Sequence, residues 1–212
     1  MTHDDLSLEL FFNTKSTEKS FSWEEDGCQI DFFSHWLSPK DADSLMNTLV
    51  SNQNWQQPKI KIFEKEHPIP RKVSWLGEAS YSYSGLTHPP SPWPAALSFI
   101  KKRLEDELNQ PFNGCLLNLY RDGGDNMGWH ADDEKELGKE PLIASLNLGA
   151  TRTFRFKAKK GVQRTPPPPT LLTHGSLLVM KGKTQQFFHH SIPKEKNAIK
   201  PRLNLTFRTL TR

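Results

Sequence analysis

Arg202-Leu203-Asn204-Leu205-Thr206-Phe207-Arg208 alternates between polar and apolar side chains without a break. In an extended strand that alternation sends Arg202, Asn204, Thr206 and Arg208 to one face and Leu203, Leu205 and Phe207 to the other. So regular an apolar row belongs against a core, and the segment reads as one strand of a layered β structure. Working back along the chain, further strands are predicted at 115–120, 142–148, 153–157, 176–180 and 186–192, separated by turns rich in Gly, Pro or Lys. The tetraproline Pro166–Pro169 is a stiff surface loop among them.

Ahead of Cys115 the pattern differs. Ser38-Pro39-Lys40-Asp41 starts a helix, with Ser at the cap, Pro at the first helical position and a carboxylate in the first turn. Leu45, Met46, Leu49 and Val50 form its apolar face. Ser91-Pro92 opens a second helix with Trp93, Leu97, Ile100, Leu104 and Leu108 on one stripe, and Pro111 ends it. Ile30–Phe33 is a short strand. Helices followed by a run of short strands give an α+β fold, a double-stranded β-helix (jelly roll) core buttressed by helices.

The chain has 212 residues, 35% hydrophobic and 25% charged, which suits a single domain over 28–212 preceded by a polar arm over 1–27. No apolar run approaches the roughly 18 residues that span a bilayer. The acidic start, Met1-Thr2-His3-Asp4-Asp5, lacks the basic region of a secretion signal. With Cys28 and Cys115 the only cysteines, a reduced interior is expected: cytoplasmic in a bacterium, nuclear in a eukaryote, and not secreted. No coiled-coil seam is legible, so a monomer without an obligate protein partner is expected. The net charge of +4 admits a polyanionic partner. Basic residues cluster at Lys59, Lys61, Lys65, Arg71 and Lys72, and again at Lys157, Lys159, Lys160 and Arg164. Each cluster is either a solvated loop or a set of phosphate contacts. Residues 55–90 interleave such charges with Trp, Tyr and Pro, which fits either base-stacking platforms or packing beneath long loops.

Gly128-Trp129-His130-Ala131-Asp132 carries the chemistry. A histidine and a carboxylate at i and i+2 of an extended segment share a face and supply two of the three ligands of a 2-His-1-carboxylate iron site. The third is one of the adjacent pair His189-His190, which point to opposite sides of their strand. The polar face of 202–208 adds two guanidinium groups inside a β sandwich. These are costly unless an anion fills the space, and a dicarboxylate such as 2-oxoglutarate does so while its keto-acid end chelates iron.

Taken together, Asn118-x-Tyr120, His130-x-Asp132, His190-x-Ile192-Pro193 and Arg202-x-Asn204-x-Thr206-Phe207-Arg208 resemble the AlkB-type iron(II)/2-oxoglutarate dioxygenases over roughly residues 55–210. Ser84-Gly85-Leu86-Thr87 and His174-Gly175-Ser176-Leu177-Leu178 are similar to the DNA-repair branch of that family. The resemblance implies iron ligation by His130, Asp132 and His190, the last chosen because it stands two residues before Ile192-Pro193. It implies 2-oxoglutarate binding by Asn118, Tyr120, Arg202, Asn204, Thr206 and Arg208, with O₂ as the other co-substrate. It also implies a nucleotide-recognition lid over 55–90, followed by a jelly-roll core over 115–210. In that lid Tyr83 would stack on a flipped base against His130, with Tyr81 near its edge, and Glu134 would face its exocyclic amine. Ile62-Phe63 matches the hydrophobic wedge of the repair branch, with Glu64 in place of its small third residue. The implied reaction is oxidative demethylation of 1-methyladenine and 3-methylcytosine in DNA, releasing formaldehyde, succinate and CO₂. The alternative is the same chemistry on methylated RNA or a protein side chain.

Overall fold

A computed structural model describes residues 18–211 except Phe63, Ser84 and Gly85; the side chains of residue 62 and residues 81–88 also lie outside that description. In chain order the elements are β1 (Phe21–Glu25), β2 (Cys28–Phe33), α1 (Pro39–Asn52), β3 (Lys59–Ile62), β4 (Lys65–Pro68), β5 (Lys72–Gly77), β6 (Tyr81–Tyr83) and β7 (Leu86–His88). Then come α2 (Ala95–Leu108), β8 (Gly114–Tyr120), β9 (Met127–His130), β10 (Ile143–Gly149), β11 (Arg152–Ala158), β12 (Thr170–Leu172) and β13 (Ser176–Gly182). A helical turn, α3 (Thr184–Phe187), precedes β14 (Phe188–Ile192) and β15 (Arg202–Arg208).

Two sheets face each other. The larger has the order β1-β2-β13-β10-β15-β8-β5 and the smaller β12-β11-β14-β9, with the paired strands antiparallel throughout. This is the expected jelly roll. All seven residues of β15 are buried, because both of its faces are covered. Leu203, Leu205 and Phe207 pack with Cys115, Leu117, Leu119, Ala144 and Leu146 against Leu45, Leu49, Leu97, Ile100 and Leu104 of the helices. On the other face, the apolar filling between the sheets comes from residues such as Ile30, Phe32, Leu116, Phe154, Phe156, Leu178 and Phe188. The polar face of β15 lies within that second layer. Hairpins β3–β4 and β6–β7 stand apart from both sheets. No described helix is long and apolar enough to cross a membrane.

Helix α1 starts where its cap dictates: Ser38 Oγ accepts the Asp41 N–H at 3.2 Å, with Pro39 in the first turn. The second helix begins at Ala95 rather than at Ser91. Pro92 and Pro94 hold the residues before them out of the helical region, and Ser91 instead pairs its backbone with Gly77. The strand expected from 186 begins at 188, because residues 184–187 coil into the turn α3. Within the polar segment 1–27, residues 21–25 form the edge strand of the larger sheet, paired with β2.

That edge is anchored on a buried carboxylate. Asp31 is fully buried and accepts from Ser22 Oγ (2.7 Å), Gln29 Nε2 (3.0 Å) and Lys181 Nζ (2.9 Å), with Lys19 Nζ at 3.0 Å. Burial alone raises a carboxyl pKa, but the donors Lys181, Ser22 and Lys19 outweigh it and bring Asp31 from 3.8 down to about 2. A depressed folded-state pKa contributes stability above the unfolded value and loses it as pH falls through the folded one. Chemical denaturation between about pH 5 and pH 2 should therefore show a loss on the order of 2 kcal/mol that Asp31→Asn removes from the pH profile.

Candidate active site

His130, the last residue of β9, pairs directly across the ladder with His190 of β14. Their rings meet edge to face with centroids 4.2 Å apart, and His190 stacks on Phe154 at 5.0 Å. Asp132 lies two residues on, just past the end of β9, with 1% of its surface exposed. One ligand atom from each of the three residues falls within 4.8 Å of the others. The Nδ1–H of His130 donates to the Gly128 carbonyl at 2.9 Å, which leaves Nε2 with a lone pair. His189 points away from this cluster and sits opposite Lys157 on the outer side of the smaller sheet.

The electrostatics suit a divalent cation. Burial lowers the pKa of both His130 and His190, so each imidazole is held neutral and able to coordinate. For Asp132 burial acts in the opposite direction, but the Arg208 cation outweighs it and keeps the carboxylate ionised. Arg208 Nη2 donates to Asp132 Oδ1 at 2.6 Å, and Gln185 Oε1 accepts the Asp132 backbone N–H at 3.0 Å.

Asn118, Tyr120, Arg202, Asn204, Thr206 and Arg208 line the same pocket as the three ligands. Ladder register explains this: Arg202 lies opposite Tyr120, and Asn204 lies between Asn118 and Asn147. Some of these groups satisfy one another, since Asn204 Nδ2 donates to Ser145 Oγ (2.8 Å) and Thr206 Oγ1 donates to Asn204 Oδ1 (3.0 Å). Arg202 is different. It is 2% exposed, donates from Nη2 to Asn147 Oδ1 at 2.5 Å and lies 5.0 Å over the Tyr120 ring. Its Nε and Nη1 have no acceptor among the described residues. Burial lowers its pKa to about 10, so it is still a cation at neutral pH. A buried guanidinium with two N–H groups turned to no acceptor fits a carboxylate ligand.

Residues 29–208 match the family model described as the 2OG-Fe(II) oxygenase superfamily. The chain is 40% identical over 185 residues to the human alpha-ketoglutarate-dependent dioxygenase alkB homolog 3, covering 82% of this chain and 64% of that protein. It is 40% identical over 159 residues to the human DNA oxidative demethylase ALKBH2, covering 72% of this chain and 61% of that protein. The chain belongs to the AlkB-type 2OG-Fe(II) oxygenases. It spans somewhat under two thirds of the length of these curated relatives. A solved structure of OsALKBH1 shares the fold, with a TM-score of 0.58 at 18% identity over 88% of this chain and all of that one.

Membership brings iron(II), 2-oxoglutarate and O₂ as the standard requirements, and the donor set fits them: two neutral imidazoles, one carboxylate and a buried cation left to face an anion. Two other buried residues around this AlkB-type site, Arg152 and Gln185, escape sequence reading, and a third, Arg71, lies buried rather than in a solvated or phosphate-binding loop. Arg71 donates from Nε to Asn118 Oδ1 at 2.8 Å. Arg152 donates to the carbonyls of Asp122, Asp125 and Pro193, pinning the loop after Tyr120. Gln185 reaches Asp132. The second basic cluster is partly tied up as well, for Arg164 pairs with Asp26 and Lys159 with Asp133. The wedge residues Ile62 and Phe63 and the tyrosines Tyr81 and Tyr83 fall on side chains outside the description. Replacing Arg202 by Met should weaken 2-oxoglutarate roughly a hundredfold while leaving Co(II) binding intact. The thermal shift that 2-oxoglutarate gives the parent protein should vanish in Arg202→Met.

Proposed function

We propose that the protein oxidatively demethylates alkylated nucleic acid, with 1-methyladenine and 3-methylcytosine in DNA as its substrates. The observation that carries the reading is the meeting of His130, Asp132 and His190 with the unsatisfied Arg202 in one AlkB-type pocket. His130, Asp132 and His190 would hold iron(II). Arg202 would pair with the distal carboxylate of 2-oxoglutarate, with Asn118, Tyr120, Asn204, Thr206 and Arg208 around it. Iron so held supplies oxidation of an N-methyl carbon, coupled to conversion of 2-oxoglutarate and O₂ to succinate and CO₂.

This chain's own residues would select the base. Glu134 is half-buried two residues from Asp132, and its Oε2 has no partner among the described residues. Burial and the neighbouring Asp132 charge raise its pKa, so its carboxylate is short of compensating positive charge. 1-Methyladenine and 3-methylcytosine are cations near neutral pH and provide that charge; the unmethylated bases do not. Tyr83 and Tyr81 are assigned to stacking and base-edge contact, where a cationic ring gains a cation–π attraction. Ile62 and Phe63 are assigned to the gap left by the flipped base. Outside the pocket, Trp129 is 44% exposed with Lys157 Nζ 4.6 Å over its ring, and Lys159 pairs with Asp133 at 2.6 Å. An aromatic among lysines beside the site suits the strand leading to it.

Protein supplied with iron(II), ascorbate, 2-oxoglutarate and a 1-methyladenine oligonucleotide in air should yield formaldehyde, succinate and the unmethylated strand by mass spectrometry. Asp132→Ala should yield none. Formaldehyde from the same lesion only in RNA, or from no nucleic acid while succinate still forms, would replace the DNA reading. Glu134→Gln should lower kcat/KM on the cationic lesion about tenfold, the loss of one charged contact, with 2-oxoglutarate affinity unchanged.

A further inference from the structure

We propose that Gln185 is a positioning residue for the metal-binding carboxylate, and that the helical turn α3 serves to present it. The proposal rests on His130, Asp132 and His190 being the metal ligands. β9 ends at His130, so its ladder with β14 stops before the Asp132 N–H. That N–H is buried and lacks a strand partner, and Gln185 Oε1 takes it at 3.0 Å. The amide orientation follows from this bond, because only an oxygen can face the Asp132 donor. The Gln185 nitrogen is left with the Met180 sulfur at 3.3 Å, a weak acceptor. Gln185 is 1% exposed. An apolar side chain would fill that space without burying an amide whose donor is so poorly matched, so the bond to Asp132 is the feature that requires glutamine.

The turn is itself anchored on three sides. Thr184 Oγ1 donates to the Lys181 carbonyl (2.6 Å) and accepts the Gln29 N–H (3.2 Å), and the Lys183 N–H donates to the Gly27 carbonyl (2.9 Å). Gln186 Nε2 donates to the Lys139 carbonyl at 2.7 Å, on the far side of the loop that carries Asp132 and Glu134. Asp132 is thus held by its side chain from β15 and by its backbone from α3. The first anchor, Arg208, lines the pocket in which the co-substrate would lie; the second, Gln185, does not. Outer partners of this kind orient a ligand and set metal affinity.

Co(II) alone serves as the probe, titrated into the parent protein, Asp132→Ala, Gln185→Leu and Gln185→Glu, with far-UV circular dichroism and thermal melts on the metal-free forms. Asp132→Ala should lose the Co(II) absorption bands, which checks the ligand assignment independently; retention of them would overturn that assignment. Gln185→Leu should bind Co(II) roughly tenfold more weakly. Gln185→Glu, which keeps the acceptor oxygen, should bind at least as tightly as the parent. Parental affinity in Gln185→Leu, or equal weakening in the Leu and Glu variants, overturns the role of Gln185 while leaving the ligands standing. Where Gln185→Leu does not fold, Gln185→Asn replaces it with the same expected weakening, since its amide is one methylene too short to reach the Asp132 N–H.

Discussion

The hydrogen-bonded ion pair between Arg208 and Asp132 crosses the space between the two sheets, joining the last strand of one to the loop leaving the edge strand of the other. Both side chains are at most 3% exposed. Neither charge is tolerable there alone, because removing either partner leaves the other uncompensated in a low-dielectric interior. The rest of the site depends on this. Asp132 stays ionised because Arg208 faces it, and the histidines stay neutral because the same burial opposes a third cation.

Arg202 stands in a different balance. It has an amide and an aromatic face for company, but no carboxylate acceptor, and two of its donors are turned to no described acceptor. The polar row of β15 thus carries one cation compensated within the protein and one that a ligand anion can match. A fold that buries such a group carries part of its binding specificity as uncancelled charge. The pocket therefore presents uncancelled positive charge to an anion before any contact with it is made.

Much of this was legible in the chain itself. The strict alternation of 202–208 placed all four polar residues on one face, and the structure has them there. Ser38-Pro39 located the start of α1 by its capping chemistry alone. Elsewhere local signals competed. Pro92 read as a helix start, yet Pro94 moved the first turn on to Ala95. Phe187 and Phe188 looked like continuous strand, yet residues 184–187 coil because Thr184 and Lys183 find partners on β2 and the turn before it. Residues 21–25 read as part of a polar arm, since the alternation Phe21-Ser22-Trp23 is only three residues long and an edge strand's pairing is backbone chemistry that side chains barely record.

The sequence by itself determined the periodic features: which strand faces are polar, where a cap lies, and that a histidine and a carboxylate share a side at 130 and 132. These follow from the geometry of one extended or helical segment. Only the tertiary structure decided which distant groups complete them. Gln185 lies 53 positions from Asp132, Arg71 47 from Asn118 and Arg208 76 from Asp132. No local pattern encodes such pairings. They arise because a buried donor must find an acceptor wherever the packed sheets bring one, and that place is set by register and layering rather than by neighbours in the chain.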